Sequence, residues 1–169
     1  METNTLISLQ ATEAVLADYA AEVQRIYKER LVSDDRIATE ELINSVQTQV
    51  VRNDTAYLVT MSVAEHWKWV EWDTRPHWPP PDALLKWITV KPVIPRPLKS
   101  GKLPTPKQLA YLIGKKISEV GTKGSLDLTR TVAVVNAKYE PLLAEALQKD
   151  LGDAVQGWLV EMFARHTPK

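Results

Sequence analysis

The chain has 169 residues, no cysteine, and equal numbers of basic and acidic side chains. The missing cysteine excludes a disulfide framework, a thiol nucleophile and cysteine-ligated zinc. No apolar run approaches the roughly 20 residues that span a membrane, and the N-terminus is neither basic nor signal-like, so the expectation is a protein made in the cytoplasm.

Hydrophobic content of 44% and charged content of 25% are ordinary for a globular fold. The length predicts one domain over 1–169. The neutral total hides an uneven layout. Residues 1–85 carry seven basic and fourteen acidic side chains, residues 86–118 eight basic and none acidic, and the remainder six and seven. A basic block of this kind can bind nucleic acid or the acidic face of a neighbouring subunit, or it can be a solvated loop. It carries no groove-reading motif.

Residues 9–31 read as an amphipathic helix. Leu9, Thr12, Val15, Leu16, Tyr19, Val23, Ile26, Tyr27 and Leu31 recur at three- and four-residue steps. Ser8 or Thr5 is the expected N-cap, and the helix is expected to be the longest element. Ile37–Asn44 reads as a helical turn or loop. Ser45–Val51 and Ala56–Val63 alternate and are rich in β-branched residues, with turn residues at 52–55 between them, so they predict an antiparallel hairpin. A two-stranded sheet is marginal alone, and the first helix and the Trp67–Trp72 segment are the candidates to cover it.

The stretch 66–81 holds four of the six tryptophans and ends in three consecutive prolines. Residues 64–72 read as a short helix in which Trp67, Trp69 and Trp72 anchor the core, because large aromatics dominate burial in small cores. The alternative is an exposed aromatic patch that docks a partner. Trp78 is the tryptophan expected to face outward.

A short helix is predicted over 82–89. The segment 91–106 carries Pro92, Pro95, Pro97, Pro104 and Pro106 with four basic residues, and reads as an extended loop or arm. Its candidate contact residues are Val93, Ile94, Arg96, Leu98, Lys99, Lys102 and Leu103, with Trp78 beside them. Thr105-Pro106 opens a helix over 107–120, with Leu109, Ala110, Leu112, Ile113, Ile117 and Val120 inward, and Gly121 stops it. Residues 131–135 fit a strand or a helix start. Residues 141–151 read as a helix broken by Gly152-Asp153, and 154–164 fit a closing helix or a strand, with helix favoured.

No catalytic set emerges. His66, His77 and His166 lack metal-ligand spacing. There is no nucleophile elbow, and Gly121-Thr122-Lys123-Gly124 follows a helix where a phosphate loop would follow a strand. The expectation is a protein that is not an enzyme and uses no cofactor or metal.

The order of elements resembles a known family. A long helix leads to Thr39-Glu40-Glu41-Leu42-Ile43-Asn44-Ser45-Val46 and a hairpin. Trp69-Val70-Glu71-Trp72-Asp73-Thr74, Trp78-Pro79-Pro80, a turn over Leu84–Trp87 and a helix ending in Gly121-Thr122 follow. Over residues 9–128 this is similar to the head–tail joining, or tail-completion, proteins of tailed bacteriophages. Thr39 and Asp73 stand where that family carries glycine. The resemblance implies an α+β structural virion protein: a long N-terminal helix on a small antiparallel sheet, then short helices and the Pro/Lys-rich loop. It implies a six- or twelve-fold ring in the neck, assembled in the host cytoplasm, contacting connector and tail proteins, with DNA passing through its lumen. The competing class is a cytoplasmic peptide- or nucleic-acid-binding adaptor that uses the Trp/Pro stretch and the 86–118 block.

Overall fold

A computed structural model describes residues 8–34, 40–53, 56–91 and 93–166. Thr5, Thr39, the turn residues Asp54 and Thr55, and Pro92 lie outside the described residues, as does the start of the 37–44 turn. The fold is α+β. In chain order it runs α1 (Gln10–Ser33), α2 (Glu41–Ser45), β1 (Gln47–Arg52), β2 (Tyr57–Ser62), α3 (Trp67–Glu71), α4 (Pro81–Val90), α5 (Pro106–Val120) and α6 (Asp127–His166). The two strands form an antiparallel hairpin, as their alternation predicts. The chain divides into two compact units. One contains 1–26, 48–61 and 131–169, the other 27–47 and 62–130.

The first unit is built on the apolar stripe of α1. Val23 packs with Val135 and Tyr139 of α6, and Val15, Tyr19, Ile26, Met61 and Val132 close around them. Tyr19 meets Tyr139 edge to face at 5.6 Å, and its hydroxyl donates to Asn136 Oδ1 at 2.7 Å. The hairpin lies on the same helix. The Thr48 hydroxyl donates to the Ala20 carbonyl, the Thr48 N–H to Gln24 Oε1, and the Tyr57 hydroxyl to Glu13.

The start of α1 corrects one expectation. Ser8 is exposed, and a carboxylate distant in sequence takes the capping role. Asp150 accepts the N–H groups of Ala11 and Thr12 at 3.0 and 2.8 Å and the Thr12 hydroxyl at 2.8 Å.

The second unit contains the end of α1, where Tyr27 and Leu31 are fully buried, with Leu42 of α2 and Val46. In it α4 packs on α5. Thr105 caps α5 in a reciprocal box with Gln108, and Gly121 ends the helix at φ 74°, as expected. The inward set on α5 needs correction. Ala110 and Gly114 are buried, whereas Leu112 and Val120 are exposed. Gly114 holds that side because an added Cβ would meet Leu84 at 3.3 Å and Trp78 at 3.5 Å.

The largest departure is α6. In place of a strand-or-helix segment and two helices, one 40-residue helix runs through Pro141 and Gly152. It is longer than α1, which has 24 residues. Proline interrupts a helix by removing one donor and crowding one carbonyl. Here packing around Val135, Tyr139 and Ala146, all buried on either side of Pro141, outweighs that cost. Gly152 breaks nothing, because a weak helix former is not by itself a stop.

Candidate functional site

The tryptophan stretch is organised around a carboxylate. α3 is a five-residue helix whose one buried residue is Glu71, 1% exposed. Leu126, the residue before α6, has no side-chain oxygen to cap it. Glu71 supplies that cap, accepting the N–H groups of Leu128 and Thr129 at 2.9 Å each and the Thr129 hydroxyl at 2.6 Å. Buried Asp127 and Tyr27 complete the surroundings, and burial, Glu71 and Asp127 push the Tyr27 hydroxyl up to about 12. Thr74 pairs with Thr122 through an isolated antiparallel bridge and a 2.7 Å hydroxyl contact. Asp73 accepts the Gly124 N–H at 2.8 Å. An added Cβ at Gly121 would overlap the Thr74 carbonyl, and one at Gly124 the backbone of Glu71 and Trp72.

This arrangement overturns the core-anchor expectation. Trp69 is 67% exposed and Trp72 47%, while Trp67 is half-buried and meets Trp72 at a tilt of 54° with ring centroids 4.9 Å apart. The reason is helical phase. Glu71 lies one turn after Trp67 on the inward face, so Trp69 falls on the outward side. Trp72 lies beyond the helix end in extended backbone. Trp69 and Trp72 line an open groove of about 480 Å³ with Lys68, Asp73, Thr74, Arg75 and His77. The His77 ring nitrogen Nδ1 is 2.8 Å from the Arg75 carbonyl.

The predicted contact residues divide by exposure. Trp78 is half exposed and meets Tyr111 at 5.6 Å. Ile94 is 92% exposed, Leu103, Arg96, Lys99 and Lys102 are exposed, and Val93 and Leu98 are half-buried. The segment does not stay extended throughout. Leu98 N–H donates to the Lys102 carbonyl at 2.8 Å, closing a turn through Gly101 at φ 76°. Buried Pro104 ties the segment down after that turn.

A surface that sequence reading missed lies on α6. Leu147, Leu151, Val155, Trp158 and Leu159 form one exposed stripe, with Trp158 64% exposed. Its signal was the run of three- and four-residue steps across Gly152, hidden by treating that glycine as a break. Lys149 pairs with Asp153 at 3.4 Å and Glu161 with Arg165 at 3.6 Å along this half of the helix. Among the described residues, no three His, Asp or Glu side chains are grouped to hold a metal ion, and no helix is long and apolar enough to cross a membrane. Comparisons with protein-family models, with curated proteins and with solved structures found no match.

Proposed function

We propose that the chain is a structural subunit of a tailed-phage neck, forming a six- or twelve-fold ring between the head-side connector and the tail, with DNA passing through the lumen. One observation carries the reading: among the described residues, the α6 stripe and the 93–103 segment are apolar surfaces left exposed in units of different charge. The α6 stripe belongs to a unit with six basic and ten acidic residues. The 93–103 segment, with exposed Ile94 and Leu103 among Arg96, Lys99 and Lys102, belongs to a unit with fifteen basic and eleven acidic residues. Two different surfaces on one chain, each fitted to the other on a second copy, make a heterologous contact. Such contacts generate a ring when the rotation between successive copies closes, and an open filament when it does not. Exposed ion pairs contribute about 0–1 kcal/mol each, so apolar burial of Ile94, Leu103, Leu151, Val155 and Trp158 supplies the hold, and charge sets orientation.

The resemblance over residues 9–128 supports the phage assignment. Its two motif segments, Trp69–Thr74 and Gly121-Thr122, meet through Thr74 and Thr122. The role is structural, without cofactor or metal, and the protein belongs to the virion neck.

The test is a phage carrying the gene with residues 93–103 replaced by a short Gly/Ser linker. The purified variant keeps its circular dichroism spectrum and melting transition, because the deletion removes no helix or strand. Lysates then contain filled heads and tails that fail to join. Intact, infectious virions from the deletion would contradict the proposal.

A further inference from the structure

We propose that the Trp69–Trp72 groove binds single-stranded nucleic acid, stacking bases on the exposed indoles and holding phosphates with Lys68 and Arg75. The inference does not depend on the ring. Non-specific single-strand sites combine aromatic platforms with cations that follow the backbone, because every base has a π-face and every nucleotide a charge. Both components are present. Two exposed indoles share an open groove with a lysine and an arginine, and its volume of about 480 Å³ admits a base with its sugar. Asp73 is the opposing charge, and Oδ1 of its carboxylate accepts the Gly124 N–H at 2.8 Å.

The same pattern recurs in the same unit. Tyr111, exposed on α5, stands beside half-exposed Trp78, and Lys107 and Lys115 lie one turn before and after it. Between 62 and 130 there are twelve basic and six acidic residues, and two of the acids, Glu71 and Asp127, are buried. The exposed charge of this stretch is therefore more positive than its sequence count. An acidic polypeptide would satisfy the cations but leave the flat indole faces without planar partners. Duplex DNA would meet the cations alone, since its bases are already stacked. Single strands use both features.

The experiment is fluorescence anisotropy with a labelled oligothymidylate of about 12 nucleotides, within the span such sites cover. Full-length protein binds it more tightly than a duplex of equal length. Trp69→Ala weakens binding about 5- to 150-fold, the loss of one stacked base, and Trp69→Phe restores part of it. Phe163→Ala, at an aromatic 65% exposed on the other unit, leaves binding unchanged. Joint replacement Lys68→Ala and Arg75→Ala lowers the slope of log affinity against log salt by about 1.4, since each single-strand phosphate contact contributes about 0.7. Equal affinity for duplex, an unchanged Trp69→Ala, or displacement of the oligonucleotide by polyglutamate at matched charge would each overturn the proposal. The last would mark the groove as a site for acidic protein segments.

Discussion

Asp150 and Glu71 perform one task at two helix starts. Each is a buried carboxylate taking N–H groups that a helix cannot satisfy internally, and each comes from an element far away in sequence. Burial acts to raise the Asp150 pKa, but hydrogen bonds from Thr12 and Ala11 outweigh it and hold the carboxyl below its ordinary 3.8. A carboxylate with a lowered folded pKa contributes stability that is complete above its unfolded value and is lost as pH falls through the folded one. Wild-type protein should therefore lose melting temperature steeply below about pH 4, and Asp150→Asn should start lower but decline less over that window. Parallel acid limbs would contradict the assignment. Glu71→Ala removes a buried cap with three charge-assisted bonds and should cost about 3 kcal/mol by urea denaturation. Trp69→Ala, on the surface, should stay within about 0.5 kcal/mol of wild type. None of this was legible in sequence. Tryptophan is the stronger burial signal, and only the partner across the chain makes a glutamate the inward residue of α3.

At the scale of elements, α1, the hairpin, α4, α5 and the Gly121 stop were legible, because each combines clear periodicity with local end signals. The long final helix was not. Pro141 and Gly152 are punctuation marks in sequence, and packing beyond their own neighbourhood overrides them. The two kinds of glycine can be told apart by experiment. Nothing lies within 4 Å of an added Cβ at Gly152, so Gly152→Ala should raise stability by about 1 kcal/mol. Gly121 has φ 74° and faces the Thr74 carbonyl, so Gly121→Ala should lower it by about 2 kcal/mol or more. Thermal melts of the two variants should move in opposite directions.

For the whole molecule, the proposed contact between copies rests on the unequal charge of the two units and on the exposed α6 stripe and 93–103 segment. The basic 91–106 segment was legible in the sequence and the α6 stripe proposed to receive it was not, since the stripe becomes continuous only when the helix does. The central claim is that one copy's 93–103 segment seats on the α6 stripe of the next. Ile94→Asp disables the first surface and Trp158→Asp the second, both at exposed positions that leave the core intact. Sedimentation of the two variants, separately and mixed, tests the claim most directly. Wild-type protein should assemble beyond the dimer, each variant alone should sediment as a monomer, and the mixture should stop at a dimer containing one copy of each. Assembly of either variant like wild type, or a mixture that stays monomeric, would contradict it.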